Sequence, residues 1–231
     1  MIDFKSSNLF LGACLLSVSS FSAYSAQDSK TEKPITVKSI PYEMRIDNQL
    51  GAVKVSDEQI EITALKGTDL FTDTTGAKNA DNTPRLLFAP EGDFIFSAKV
   101  SAKFGETPYD GGALIVYADS KNWGKLLFER FKSGKIGIAT TVSKGSGDDA
   151  YHGTRDANHQ YLKIVRHDSS YVFYTSQDGK DWNFVRHFEL KSATPVHIGF
   201  TAQAPLAENF VVSFSDIKYR AGKFTNFWQG E

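Results

Sequence analysis

Rhythm limits this chain more than any single motif. From Ile35 onward the sequence alternates between short runs, in which apolar and polar residues trade places, and clusters of turn-forming residues. "QIEITAL" (Gln59–Leu65) and "DFIFSAKVSAKF" (Asp93–Phe104) alternate cleanly. "GALIVYA", "WGKLLFERF", "KIGIATTV", "QYLKIVRH", "SYVFYTS", "WNFVRHFEL", "VHIGFTAQ" and "NFVVSFSDIKY" follow, each rich in the branched and aromatic residues that suit a pleated surface. Between them stand "YDGG", "KSGK", "RHDSSY" and "SQDGKDW", all carrying Gly, Asp or Ser. "QDGK" reads as a tight hairpin, because Asp178-Gly179 supplies the positive φ of a two-residue turn, and Trp182 is expected to pack behind it. No segment holds a helical repeat with caps; "AGKFTNFWQGE" is at most a terminal turn. Many short strands at regular spacing predict an all-β fold, a two-sheet antiparallel jelly-roll sandwich.

Composition narrows the class of partner. The formal net charge of the 231-residue chain is -1, which leaves no basic footprint for nucleic acid or an anionic membrane. Apolar residues make up 41% of the chain, enough for a substantial core.

The first residues read as a secretory signal peptide, residues 1–26. Lys5 gives a basic start, "LFLGACLLSV" is an apolar run too short for a membrane span, and Ala23-Tyr24-Ser25 fits the small-x-small processing rule. Export to the periplasm or the medium is the expected localisation. A competing reading takes "LGAC" as a lipoprotein box, with Cys14 lipidated. Cys14 is the single cysteine, so a processed chain has no disulfide framework and no thiolate metal site. Residues 27–34 read as a polar leader, 35–220 as the sandwich and 221–231 as a C-terminal tail.

Strand parity locates the chemistry. Successive side chains point to opposite faces. In "KIGIATTV" and "VHIGFTAQ" one set is apolar (Ile136, Ile138, Val142; Val196, Ile198, Phe200, Ala202), and "YLKIVRH" turns Leu162 and Ile164 inward in the same way. If these runs are neighbours, the other face carries Tyr117, Trp123, Lys125, Glu129, Thr141, His197, Thr201 and Gln203. Rings beside fixed hydrogen-bonding groups suit a sugar, whose C–H faces stack and whose hydroxyls need partners. The competing reading is the ordinary solvated face of an antiparallel sheet.

"VSKGSGDDAYHG" (Val142–Gly153) is expected as a loop at the edge of that face. Its Asp148 and Asp149 are candidates for accepting sugar hydroxyls. They also offer oxygens of the kind Ca²⁺ takes, though no specific calcium motif is present. Neither His152 nor His159 belongs to a zinc pattern, and no metal site or cofactor is expected.

With these segments in view, residues from about Arg85 to Tyr219 resemble the YesU-like bacterial family of unknown function. They are also similar to the β-xylosidase C-terminal concanavalin A-like domain; both belong to the concanavalin A-like lectin/glucanase superfamily. The shared features are a Gly-rich lead-in (Asp110-Gly111-Gly112), a strand with Trp-x-Lys-x-x-x-Glu, the Ser146–Asp149 loop and the Ser176–Trp182 hairpin. The resemblance implies a curved sandwich whose concave face is the ligand surface, with Trp123, Lys125 and Glu129 on it. One departure is that the tryptophan many members place after the acid loop is here replaced near Tyr151 or His152.

The expected function is therefore a non-catalytic carbohydrate-binding or accessory domain, its partner an oligo- or polysaccharide. The first alternative is a glycan-active enzyme. Related glucanases carry Glu-x-Asp-x-x-Glu on one strand, and that string is absent here. Glu129 would need a loop partner such as Asp149 for hydrolysis, whereas a lyase would draw on Tyr117, His197 and Lys125. The second alternative is a cell-surface structural or protein-interaction domain. Oligomeric state is left open.

Overall fold

The alternating runs form two antiparallel sheets. The computed structural model describes residues 34–48 and 50–231; the signal-peptide and leader readings and Cys14 lie outside the described residues. One sheet has eight strands. Its spatial order is β1 (Ile35–Val37), β2 (Ile40–Asp47), β7 (Arg85–Phe88), β16 (His197–Gln203), β9 (Gly111–Asp119), β10 (Asn122–Arg130), β11 (Ile136–Lys144), β12 (Gly147–Thr154). The other has seven: β15 (Asn183–Glu189), β14 (Ser170–Ser176), β13 (His159–His167), β8 (Phe94–Ala102), β17 (Asn209–Ala221), β4 (Ile60–Leu65), β3 (Gly51–Val55). A short hairpin, β5 (Leu70–Thr72) and β6 (Asn79–Asp81), stands apart from both. Among the described residues there is no helix, and so none long and apolar enough to cross a membrane. The fold is the two-layer antiparallel β-sandwich that the rhythm predicts.

The core lies between the sheets and is built by alternation. Leu86, Phe88, Leu114, Val116, Leu126, Phe128, Ile198 and Phe200 come from one sheet; Phe96, Ala98, Val100, Leu162, Ile164, Val212 and Phe214 come from the other. Phe200 meets Phe96 edge-on at 5.3 Å between centroids and Phe214 at 5.0 Å, the offset geometry that aromatic quadrupoles prefer.

Three features differ from the expectation. First, β13 belongs to the seven-stranded sheet, so Tyr161, Lys163 and Val165 point to the opposite outer surface from the proposed face. There the tail covers them: Lys163 Nζ donates to the carbonyls of Gln229 (3.0 Å) and Gly230 (3.1 Å) and sits 4.0 Å from the Trp182 ring centroid. Second, the Asp178-Gly179 segment is longer than a two-residue turn. β14 ends at Ser176 and β15 begins at Asn183. Asp178 Oδ1 accepts the Lys180 and Asp181 amides, and Trp182 is buried behind. The local hydrogen bonds of an aspartate and a serine win over the tighter turn. Third, most of "VSKGSGDDAYHG" is strand: β11 and β12 form a hairpin with Ser143 opposite Gly147, so the acid stretch is the edge strand of the eight-stranded sheet.

Candidate ligand-binding site

Register places the predicted residues on one surface. Trp123, Lys125, Leu127 and Glu129 alternate outward on β10 and stand opposite Tyr117, Ile115, Ala113 and Gly111 of β9. Across β9 the row continues to His197, Thr201 and Gln203 of β16. On the other side Lys125 pairs with Thr141, which pairs with Asp149. Trp123, Glu129 and Thr201 therefore share a face of one sheet, as parity requires.

That face is not an open platform. The β5–β6 hairpin lies over part of it, and Leu70 joins Leu87, Ala113, Ile115, Tyr117, Trp123 and Leu127 in a second small core. Trp123 has 0% exposure and cannot serve as a stacking platform. Tyr117 donates to Asp81 Oδ2 at 2.8 Å beneath the Arg85 guanidinium, which lies 4.2 Å from its ring centroid and 3.0 Å from Asp47 Oδ2. Burial pushes the Tyr117 hydroxyl up to about 12, so it is no base at neutral pH. Thr201 Oγ1 is buried and donates to the Pro84 carbonyl at 2.9 Å. His197 is half-buried, and burial lowers its pKa. Tyr117 and Trp123 are thus parts of the seat under the hairpin, whereas Thr201 is tied to Pro84 and His197 lies near Arg45 and Asp47 of β2. Of the proposed lyase trio, Tyr117 is thereby covered, while Lys125 lines the open pocket. The physical reason is a long-range return of residues 69–82 over the sheet, which local alternation does not report.

At the uncovered end a pocket of about 370 Å³ remains. Of the residues the sequence reading put on this face, Lys125, Glu129, Thr141, Asp149 and Gln203 line it; Asp69, Phe71, Tyr109, Leu127 and Tyr151 are among the rest of the wall. Lys125 Nζ donates to the Leu70 carbonyl (2.7 Å) and to Gln203 Oε1 (2.9 Å), with Asp69 at 3.9 Å; Gln203 Nε2 in turn donates to the Tyr109 carbonyl at 2.7 Å. Tyr109 holds φ 72°, a left-handed conformation that costs a non-glycine residue about 1–3 kcal/mol. Thr141 Oγ1 donates to Asp149 Oδ1. Tyr151 is an exposed part of the wall, its ring edge-on to Phe131 at 4.8 Å.

Glu129 is the outlier. It is 4% exposed, and among the described residues its carboxylate has no hydrogen-bond partner. Burial pushes its pKa up to about 7; Lys125 pulls it down, and Asp69, Asp149 and Asp110 push it further up. Burial also raises Asp69 and Asp110. Both sheet neighbours of Glu129 are glycines, Gly111 and Gly137; at Gly137 the Phe131 ring and the Gly153 carbonyl fill the room a side chain would need. A methyl group on Gly111 would stand 2.8 Å from Glu129 Cβ.

Asp148 leaves the site. Alternation turns it to the opposite side of β12 from Asp149, where it pairs with Arg186 Nη2 at 2.6 Å and ties β12 to β15 of the other sheet. The two adjacent aspartates therefore cannot converge on one Ca²⁺. Among the described residues the one group of His, Asp and Glu whose ligand atoms lie within 4.8 Å of one another is Asp93, His167 and Asp168, none of which lines the pocket. Asp69 and Phe71 were not foreseen because they reach the face through the returning hairpin. Tyr109 carried a weak signal, the turn residues that follow it.

The sequence profile of a family described as "Protein of unknown function (DUF1349)" matches residues 47–222. No curated protein matches the chain. Among solved structures, a functionally unknown protein from Saccharomyces cerevisiae superimposes with a TM-score of 0.71 at 19% identity, covering 78% of this chain and 97% of that one. A GH43 protein from Bacillus licheniformis gives 0.58 at 15% identity, covering 77% of this chain. A xylan β-1,4-xylosidase from Bacillus halodurans C-125 gives 0.57 at 12%, covering 76%. This chain spans 39% of each of the last two. At these identities the likeness shows the fold.

Proposed function

The chain belongs to the DUF1349 family of proteins of unknown function, and on that premise we propose that it is an exported saccharide-binding domain whose ligand sits in the pocket at the open end of the eight-stranded sheet. The observation that carries this reading is the pocket's make-up. Exposed Tyr151 and neighbouring Phe71 and Tyr109 offer ring surface, while Glu129, Asp149 and Gln203 offer fixed polar groups. That mixture is what a hydroxyl-rich ring requires. The volume is at the small end of organic-ligand sites, which favours a chain end or short unit over a long polysaccharide run. The sandwich likeness to a GH43 protein and a xylosidase supports a setting among glycans. Isothermal titration of the chain against plant and bacterial oligosaccharides tests it: binding that Tyr151→Ala weakens supports the reading, and silence across the panel with folded protein overturns it. Mass spectrometry of the mature N-terminus tests export and separates cleavage near Ala26 from lipidation at Cys14.

One observation favours a second reading, a glycan-active enzyme. A buried carboxyl with a pKa near 7 is the state a general acid needs at neutral pH. Asp149, on the same wall, is the available second carboxylate. Release of reducing ends or unsaturated products, abolished by Glu129→Gln, would establish catalysis.

A further inference from the structure

We propose that the pocket is selective for a saccharide bearing a protonated amine, a 2-amino sugar or an oligomer of one, over neutral and acidic sugars. The inference rests on the saccharide-binding reading and names its ligand class.

Charge is the first argument. Three carboxylates, Asp69, Glu129 and Asp149, line the pocket with one ammonium, that of Lys125. Lys125 Nζ is already held by the Leu70 carbonyl and Gln203, with Asp69 beside it. It therefore has little to offer a ligand anion. A uronic acid would add a further negative charge to this wall, and like charges held close together repel. A cation relieves the crowding already present.

The second argument is the unmet demand of Glu129. Its side chain is largely buried, and its carboxylate oxygens, which no donor among the described residues reaches, open to the pocket. Oxygens open to a pocket take their donor from water or a ligand, and a charged donor makes the stronger bond. An ammonium brings both the donor and the opposite charge, whereas a hydroxyl brings the donor alone.

The third argument concerns the kind of cation. Asp69, Glu129 and Asp149 do not gather their oxygens around one point, in contrast to the Asp93, His167 and Asp168 group elsewhere. Acids spaced along a wall suit a charge carried on an organic frame better than a metal ion. The walls supply that frame's other needs: Tyr151, Phe71 and Tyr109 give rings for sugar C–H faces and for cation–π attraction.

The test is titration calorimetry on the full chain at pH 7, with four probes of equal length. They are glucosamine oligomers, their N-acetylated counterparts, cello-oligosaccharides and oligogalacturonides. The amine oligomers are expected to bind at least ten-fold more tightly than the acetylated ones, which differ only in the charge. Glu129→Gln and Asp149→Asn, both checked for fold by circular dichroism, should each shrink that ratio, and together bring it close to one. Equal or tighter binding of acetylated or neutral oligomers overturns the selectivity and leaves saccharide binding standing. An amine preference that survives the double variant overturns it too, because the pocket acids are then not its source. Silence toward all four probes overturns both readings.

Discussion

Lys125 and Glu129 point from the same face of β10, yet no ion pair joins them: the ammonium is bonded to the Leu70 carbonyl and to Gln203 Oε1. The lysine thus ties the β5–β6 hairpin to the sheet, and the glutamate is left facing the cavity. Replacing Lys125 by Met keeps the length of the side chain and removes the donors. Leu70 and Gln203 then lose buried partners, at a cost of about 2–4 kcal/mol. Urea denaturation should register that loss. Because Lys125 pulls the Glu129 pKa down, carboxyl titration followed by NMR should find Glu129 higher in the variant than in the parent.

Stability should fall as pH rises through the range in which Glu129 ionises. Burial sets its folded pKa near 7, against 4.5 for the ordinary carboxyl. Between those values the folded chain holds a proton that the unfolded chain has released, so unfolding becomes easier with each step up in pH and levels off above 7. The difference corresponds to about 3 kcal/mol at most. Asp69 and Asp110, also raised, add to the same trend. Urea midpoints at pH 5 and pH 8 should differ less in Glu129→Gln than in the parent. Parallel curves would show that Glu129 ionises as an ordinary exposed acid.

The hairpin that shapes the pocket depends on a side chain that is not there. A Cβ on Gly147 would lie 1.8 Å from the Thr72 carbonyl oxygen, and the Gly147 amide donates to the Asp73 carbonyl at 2.9 Å. Both obstacles are backbone, so rotamer adjustment offers no relief. Gly147→Ala should destabilise the fold by about 1–3 kcal/mol through overpacking. Limited proteolysis should show new cleavage between Asp69 and Asn82, because the displaced segment is the hairpin itself. Unchanged cleavage and stability would mean the hairpin does not rest on β12.

Alternation made the sandwich and the shared face legible, since residues such as Trp123, Glu129 and Thr201 obey a period of two whatever lies above them. What lies above them was not legible. "LFT" and "NAD" are too short and too ordinary to announce a hairpin that crosses the sheet, and its docking depends on contacts such as Arg85 with Asp81 and Lys125 with Leu70, the latter pair 55 residues apart. The same limit explains Asp148. Parity separates it from Asp149, but the arginine that receives it, Arg186, sits on the other sheet. The glycines of "VSKGSGDDAYHG" read as turn residues; at Gly147 the requirement is close approach to Thr72. Glu129, Thr141, Asp149 and Gln203 could be grouped from the sequence because parity and register alone bring them to one wall; Lys125 shares that face, but its partner, the Leu70 carbonyl, comes from the hairpin.

The tryptophans give an independent measure of how far that cover extends. Trp123 lies under the hairpin at 0% exposure, Trp182 lies under the tail at 5%, and Trp228 stands out at 68%. Acrylamide should therefore quench a minor, accessible part of the emission, and Trp228→Phe should remove that part while leaving stability nearly unchanged. Trp123→Ala should behave oppositely: with the second small core emptied, a loss of about 3–5 kcal/mol is expected, as for other large buried rings. A ligand in the pocket should protect Tyr151 from chemical modification without altering acrylamide access to Trp123. If Trp123 proves quenchable in the parent and shielded by a bound saccharide, the hairpin does not close over the sheet and the wider surface read from alternation is restored.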